Sequence, residues 1–146
     1  MNLGQAFQAT VARRPGAKAI VDGDTVRTYA QWLDDVQRVA GGLAALGLGS
    51  GDHLITVIKN RYELTTLYWA SHWLGLVYTP LNWRSTAEEI AYCLMNAEAR
   101  AVAYEGVSQG AVHRAQGIAG LEALPRIMLA DAKADGASTW ASLLDA

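Results

Sequence analysis

The sequence predicts an α/β fold: a largely parallel sheet flanked by helices, with a small antiparallel hairpin near the amino end. First, segments with an apolar period of about 3.6 residues alternate along the chain with short β-rich runs. Second, glycine, proline and capping hydroxyl residues stand between these segments. Third, Asp22-Gly23-Asp24 separates two β-rich runs, Ala19–Val21 and Thr25–Arg27. We expect this hairpin to add an antiparallel edge to the sheet.

Composition limits the classes of function. The 146 residues suit one domain, and we predict no internal boundary within residues 1–146. A net charge of -2 gives no electrostatic reason to expect nucleic acid or an anionic membrane as partner. Cys93 is the one cysteine, so the chain has no internal disulfide, which is typical of a reducing compartment. We find no signal peptide and no membrane span, and therefore expect a cytoplasmic protein.

Two helices are predicted in the first third of the chain. Leu3–Arg14 is a short helix that ends at Pro15-Gly16. Thr28 and Gln31 have the spacing of a capping box and begin a second helix, which ends at Gly47. The apolar face of this second helix consists of Trp32, Leu33, Val36, Val39, Ala40, Leu43 and Leu46.

A strand and a third helix follow. His53–Ile58 is predicted as a strand because it is rich in β-branched residues. Asn60 stands three residues before Glu63, which predicts an N-cap and a helix that runs to about Leu74. Gly75 closes this helix.

The next ten residues read GLVYTPLNWR. Val77–Thr79 is predicted as a buried strand that stops at Pro80 and leads into a polar turn. Arg84 lies in this turn, ahead of a helix whose capping pair is predicted to be Ser85 and Glu88. A guanidinium beside unpaired helix N–H groups favours negative charge, so Arg84 is a candidate anion ligand.

The last third continues the alternation. The segment from Ala130 to Ser138 is small and polar, and we expect it to be a mobile surface segment. The predicted elements here are a helix from Thr86 to Ala97, a strand from Ala101 to Tyr104, a weak helix from Val107 to Gly120, a strand from Arg126 to Leu129, and a short helix capped by Ser138 or Thr139 and ending at Asp145.

Several motifs stand in a characteristic order. They are TYAQW at residues 28–32, Gly51-Asp52 ahead of a β-rich run, Asn60 after that run, Gly75 and PLNWR at residues 80–84, and the helix from Glu88 to Ala97. From Tyr29 to Tyr104, this ordered set resembles the N-terminal part of the AMP-forming acyl-CoA synthetase and adenylation superfamily. Gln31-Trp32 stands where the family usually has Glu-Leu, and His53-Leu54 where Arg-Val is common.

The resemblance implies a reaction. In this family a carboxylate attacks the α-phosphate of ATP to give an acyl-adenylate and pyrophosphate, and a thiol, usually CoA, then displaces AMP. It therefore implies ATP, Mg²⁺ and CoA as cofactors, and a fatty or aromatic acid as substrate. In some aryl-CoA ligases the arginine of Asn-x-Arg contacts a CoA phosphate, which implies the same role for Arg84. The alternative is a surface arginine that caps or pairs locally.

The catalytic signatures of the family are not found in these 146 residues. They are the phosphate loop ending in lysine, the aromatic-Gly-x-Glu segment, the ribose-binding aspartate, the hinge and the C-terminal lysine. We therefore expect residues 1–146 to be an incomplete N-terminal subdomain with no catalytic or metal-ligating residue and no tightly bound cofactor. Two alternatives remain: a split half that docks with a separate catalytic chain, or a stand-alone nucleotide-binding α/β domain. A homo-oligomer is compatible with each.

The remaining candidate side chains have structural interpretations. His53, His72 and His113 have no metal-ligand spacing. Trp69 and Trp73 predict aromatic packing in the core or at a subunit interface, with an aromatic acyl-binding wall as the alternative.

Overall fold

The computed structural model describes residues 1–146 as six helices and seven strands. In chain order these are α1 (Leu3–Arg13), β1 (Lys18–Asp22), β2 (Thr25–Thr28), α2 (Tyr29–Ala45), β3 (His53–Val57), α3 (Tyr62–Leu74), β4 (Val77–Leu81), α4 (Ala87–Asn96), β5 (Ala101–Tyr104), α5 (Gly106–Ala119), β6 (Arg126–Met128), β7 (Ser138–Thr139) and α6 (Trp140–Leu144). None of these helices is both long and apolar enough to cross a membrane.

The main sheet is parallel throughout and has five strands in the order β4-β3-β5-β6-β7. Successive side chains of a strand point to opposite faces of the sheet. Accordingly, Leu54 belongs to a core cluster of 20 buried residues, and Ile55 to a second cluster of 11. Helices α1, α2, α3 and α6 supply the first cluster, and α4 and α5 supply the second. The predicted α/β class, with helices on both faces of a parallel sheet, is confirmed.

The hairpin forms as predicted, but its place in the fold differs from the expectation. β1 and β2 pair antiparallel in a separate two-stranded sheet and do not extend the main one. The Asp22 carboxylate accepts a hydrogen bond from the backbone N–H of Tyr62 at 2.8 Å, at the start of α3. The hairpin is therefore held against the helices of the first face, which leaves the edges of the main sheet to β4 and β7.

β4 differs from the predicted buried strand. It lies at the edge of the sheet, only part of it is shielded, and it continues through Pro80 to Leu81. An edge strand is hydrogen-bonded on one side, so a residue without an N–H is tolerated there. Proline therefore does not end this strand.

Two predicted caps are displaced by one residue. The cap of α3 is Arg61 instead of Asn60, and it makes no side-chain capping bond. The capping box of α4 is formed by Thr86 and Glu89, one residue after the predicted pair. The turn after β4 uses the backbone N–H of Ser85, which donates to the Asn82 carbonyl at 2.9 Å, so the helix begins later.

The segment from Ala130 to Ser138 is tied to the rest of the fold, in contrast to the mobile surface segment expected. The backbone of Lys133 exchanges two hydrogen bonds with the side chain of Gln109, at 2.6 and 2.9 Å. Arg126 donates to the carbonyl of Asp135 at 3.0 Å. This segment then adds the two-residue strand β7, which sequence patterns did not predict.

Candidate functional site

The candidate site lies at the carboxyl edge of the main sheet, where the strand order reverses. From β3 the chain passes through α3 to the neighbouring edge strand, and from β5 it passes through α5 to the other side. The helices that follow β3 and β5 therefore lie on opposite faces. In parallel α/β sheets, ligands bind in the crevice that such a switch creates.

A buried glutamate forms the floor of this crevice. Glu105 follows β5 directly and is 2% exposed. Its carboxylate accepts a hydrogen bond from the backbone N–H of Lys59 at 2.5 Å. Its own N–H donates to Ser108 Oγ at 3.2 Å, and that hydroxyl donates to the Val57 carbonyl at 2.5 Å. Glu105 thus connects the end of β5 with the end of β3.

Arg61 fills the space above Glu105. Its guanidinium lies 3.5 Å from Glu105, 2.8 Å from Glu63 and 3.1 Å from Asp131. Burial acts to lower the pKa of Arg61, but hydrogen bonds and charges from Glu63 and Asp131 outweigh it, so this pKa lies above its ordinary value. The crevice at the strand-order reversal is therefore occupied by the chain's own ion-pair network.

Gly106 permits the close approach of the loop that carries Asp131. A Cβ at Gly106 would lie 2.6 Å from the Asp131 carbonyl oxygen, a distance that real Cβ contacts do not reach. The Gly106 N–H also donates to the Asp131 carboxylate at 3.3 Å. The loop after β6 is thus drawn to the start of α5, which places Asp131 beside Arg61.

The turn after β4 carries the residue predicted from the sequence. The side-chain oxygen of Asn82 accepts a hydrogen bond from the Arg84 backbone N–H at 2.8 Å, which is the geometry of an Asx turn. Arg84 is exposed, and its guanidinium carbon lies 4.5 Å from the centre of the Trp83 ring. Asn82 therefore fixes the backbone that presents Arg84 at the carboxyl edge.

Lys59 approaches the same indole from the neighbouring strand. Its ammonium nitrogen lies 4.9 Å from the centre of the Trp83 ring. The cations that pair with carboxylates within 4.0 Å are Arg27, Arg38, Arg61, Arg100 and Arg126, together with His113 when it is protonated. Neither Lys59 nor Arg84 is among them, so two cations without a carboxylate partner lie within 5 Å of the centre of one aromatic ring.

The other sequence candidates do not join this site. No group of three or more His, Cys, Asp or Glu side chains is arranged to hold a metal ion. Trp69 stacks on Phe7 with ring centres 4.8 Å apart and meets the edge of Trp32 at 6.5 Å. Trp69 is therefore part of the core packing predicted for it.

Cavities occur at both ends of the sheet. One of about 320 Å³ lies between the hairpin and the first turn of α3, and it reaches the carboxyl edge through Asn60 and Arg61. Another, of about 370 Å³, lies at the opposite edge and is lined by apolar residues such as Leu46 and Leu124. Of the two cavities, the one at Asn60 and Arg61 lies at the same edge of the sheet as Lys59 and Arg84.

Sequence reasoning identified Arg84 but missed Lys59, Arg61 and Glu105. The sequence did contain a signal for Lys59. Lys59 directly follows the predicted strand His53–Ile58, and Arg84 follows the predicted strand Val77–Thr79. The carboxyl ends of adjacent parallel strands lie at the same edge of a sheet, so residues that follow two such strands lie close together. What the pattern did not give is that β3 and β4 are neighbours.

Comparison with known proteins identifies the family. The model of a family described as AMP-binding enzyme matches residues 7–142. A long-chain-fatty-acid–CoA ligase of Mycobacterium tuberculosis is 33% identical over 97 residues, which cover 66% of this chain and 19% of that protein. A mitochondrial medium-chain acyl-CoA ligase of Danio rerio is 34% identical over 101 residues, which cover 67% of this chain and 16% of that protein.

The fold agrees with these relatives. A crystal structure of a benzoate CoA ligase from Burkholderia xenovorans superimposes with a TM-score of 0.88 at 23% identity, covering 100% of this chain and 28% of that one. The matched region spans less than a fifth of the length of the Mycobacterium tuberculosis and Danio rerio ligases. Since the family match extends over nearly the whole chain, the resemblance seen in the sequence is confirmed, and the protein belongs to the AMP-binding enzyme family.

Proposed function

We propose that residues 1–146 form the N-terminal α/β subdomain, without an internal boundary, of an ATP-dependent carboxylic acid–CoA ligase. The observation that carries the proposal is the family match over residues 7–142, together with relatives that are acyl-CoA ligases. The longer enzyme joins a carboxylic acid to CoA through an acyl-adenylate and uses ATP, Mg²⁺ and CoA. The relatives act on acids of different chain length, so this region does not identify the acid.

We propose that this subdomain is a scaffold that supplies one wall of the active site. Its strand-order reversal, the usual place for a ligand, is filled by Arg61 and the three carboxylates around it. The three carboxylates here are paired with the Arg61 guanidinium, so we assign no Mg²⁺ site to them. In the longer enzyme, Arg84 contacts a CoA phosphate from its position at the carboxyl edge. The alternative is a surface arginine that caps or pairs locally. Arg84 is in none of the ion pairs within 4.0 Å, which does not favour pairing.

We further propose that the isolated chain does not adenylate a carboxylic acid. The transition state for attack on the α-phosphate of ATP needs positioned donors and a metal ion. The family's signatures for these groups are not found in these 146 residues. The test is carboxylate-dependent exchange of pyrophosphate into ATP by the purified chain, with octanoate and benzoate as acids. We expect no exchange above a protein-free blank. Turnover that depends on the acid would contradict this expectation.

A chimera tests the positive part of the proposal. Residues 7–142 replace the matching segment of the Mycobacterium tuberculosis long-chain-fatty-acid–CoA ligase, and acyl-CoA formation is measured with ATP, Mg²⁺ and CoA. We expect a folded enzyme that retains ligase activity. A chimera that folds and forms neither acyl-adenylate nor acyl-CoA refutes the assignment, while one that forms acyl-adenylate alone limits it to the first half-reaction.

The outer surface of α4 and α5 supports the presence of a further protein segment against this chain. Tyr92 and Met95 on α4, and Val107 and Ile118 on α5, are each at least 50% exposed. Exposed apolar groups of this size, on two helices that pack together, are typical of a contact surface. The rest of the longer ligase, or a separate catalytic chain, is the proposed occupant, in a cytoplasmic setting. Co-purification with a separately expressed partner distinguishes the second arrangement.

A further inference from the structure

Resting on the phosphate role proposed for Arg84, we propose that Lys59 and Arg84 are the two cationic ligands of a single nucleotide-phosphate site. Trp83 is the positioning residue that holds both. The ligand chemistry is a terminal phosphate group, which CoA offers as its 3′-phosphate and ATP as its triphosphate. Neither Lys59 nor Trp83 was assigned a role by the sequence.

The strand register brings the three residues together. β3 and β4 are parallel, and Val57 lies opposite Leu81. Lys59 and Trp83 each follow two residues after this pair. The two segments leave the sheet side by side, and the ammonium group of Lys59 lies 4.9 Å from the indole centre. The pairing of the strands thus places the backbones of Lys59 and Trp83 next to each other.

The charges at this edge leave two cations without a counter-ion. Arg61 is neutralised by Glu63, Glu105 and Asp131. Lys59 and Arg84 have no carboxylate within 4.0 Å. A phosphate monoester carries about 1.5 to 2 negative charges at neutral pH, which two cations complement. One cation alone would leave part of that charge uncompensated.

The backbone segments that carry the two cations are fixed by hydrogen bonds. The backbone N–H of Lys59 is bonded to the buried Glu105, and that of Arg84 is bonded to Asn82. Both side chains also contact the Trp83 ring, whose face attracts cations. Side chains that are already ordered lose less entropy when they bind. Trp83 therefore lowers the entropic cost of bringing the two cations to one phosphate.

The test is an NMR titration of the 146-residue chain with CoA, 3′-dephospho-CoA, ATP and inorganic phosphate. The readouts are the backbone amides of Lys59 and Arg84 and the indole N–H of Trp83. We expect CoA or ATP to shift all three signals together, with one apparent Kd. If CoA binds and dephospho-CoA does not, the 3′-phosphate is the ligand. If ATP binds more tightly than CoA, the triphosphate is the ligand. If no phosphate compound shifts these signals at millimolar concentration, the site does not exist.

Substitutions test each role. Lys59→Ala and Arg84→Ala are each expected to weaken binding about fivefold, the effect of one exposed charge-assisted contact. Each also weakens the dependence of Kd on salt concentration, because one cation fewer attracts the phosphate and salt screens that attraction. Lys59→Arg restores binding, since the charge is retained. Arg100→Ala, which removes an exposed cation before β5 at the opposite edge, is the control and leaves binding unchanged.

Trp83 is tested by comparing Trp83→Phe with Trp83→Ala. A positioning role predicts that phenylalanine preserves most of the affinity and that alanine weakens it, with the salt slope unchanged in both. Wild-type affinity in Lys59→Ala, or in Trp83→Ala, overturns the proposal. This failure is separable from that of the proposed function, because an active chimera can contain a Lys59 that contributes nothing. Conversely, the chimera can be inactive while the NMR titration still detects phosphate binding to the isolated chain.

Discussion

Asp135 is a residue whose local contacts determine its ionisation. One carboxylate oxygen accepts hydrogen bonds from the hydroxyl of Tyr104 and from Gln109, the latter at 3.1 Å, and lies 2.6 Å from His113 Nε2. The other accepts from the backbone N–H of Ala137 at 2.9 Å. Burial acts to raise the pKa of Asp135, but these bonds outweigh it, so the pKa lies well below its ordinary value.

This depressed pKa predicts a pH-dependent stability. The contribution of Asp135 is present in full above the pKa of the unfolded state, about 4, and is lost as the pH falls from there toward the lower pKa of the folded state. Asp135→Asn is expected to lower the free energy of unfolding at pH 7 by about 2 kcal/mol. Urea denaturation from pH 7 to pH 2.5 should show this difference shrinking below about pH 4. Asp34→Asn, at an exposed helix position, is the control. A difference that stays constant with pH would rule out the linkage.

Ser71 presents the opposite situation, a buried polar atom without a partner. It is 0% exposed, and its hydroxyl oxygen makes no hydrogen bond. Ser71→Ala is expected to raise the free energy of unfolding by about 1 kcal/mol, because the unfolded chain no longer gives up a hydrated hydroxyl. Chemical denaturation measures the change. Ser108→Ala is the matched control, since that buried hydroxyl donates to Val57, and it should be destabilising. A loss of stability in Ser71→Ala would contradict the prediction.

At the scale of elements, α4 begins with a complete capping box and is followed by a residue with a strained backbone. Thr86 and Glu89 form a complete capping box at its first turn. After its last turn, Glu98 has a φ of 50°, the only positive φ of a residue other than glycine. Glycine usually occupies this position, because a Cβ is strained there.

The strained end of α4 gives a third prediction. Glu98→Gly is expected to raise the free energy of unfolding by about 1 kcal/mol, since it removes the Cβ from a left-handed backbone position. Glu98 is exposed and is in none of the ion pairs, so the substitution removes no salt bridge. Thermal unfolding compares it with Glu98→Ala, which keeps the Cβ and should gain nothing. Equal gains in both variants would show that removal of the charge, and not backbone relief, is responsible.

Element boundaries also show what local patterns can and cannot predict. The capping box of Thr28 and Gln31 is present as the sequence predicts, with bonds of 3.2 and 2.9 Å. The cap of α4 was misplaced by one residue, because two hydroxyl residues, Ser85 and Thr86, both have a glutamate three positions later. The Asx turn at Asn82 decides between them. Spacing alone does not contain that information.

At the scale of the whole molecule, Glu105 and Arg61 join segments that are distant in the sequence. Arg61 follows β3, Glu105 follows β5 and Asp131 follows β6. Their contacts fasten three strand ends to one another at the carboxyl edge. Because these contacts connect three strands, their loss should affect the whole domain.

The contacts among Arg61, Glu105 and Asp131 give a fourth prediction. Glu105→Ala is expected to lower the free energy of unfolding by about 3 kcal/mol, because it leaves Arg61 and the Lys59 N–H with fewer partners in a buried site. Asp131→Ala removes the partner that is 48% exposed and should cost less than about 1 kcal/mol. Guanidinium denaturation of both variants measures the difference. Equal costs would show that burial does not set the strength of this network.

The sequence by itself determined the α/β class, the order of the motifs and most helix starts, because these follow from local periodicity and capping chemistry. It also identified the family, through motifs that stand in order along the chain. The tertiary structure alone decided that β4 is an edge strand and that the hairpin forms a sheet separate from the main one. It also showed that Asp135 is held by hydrogen bonds, in a segment that the sequence predicted to be mobile. It also brought Lys59 and Arg84 to one indole. The physical reason is that strand order and register arise from long-range packing, which short patterns do not encode.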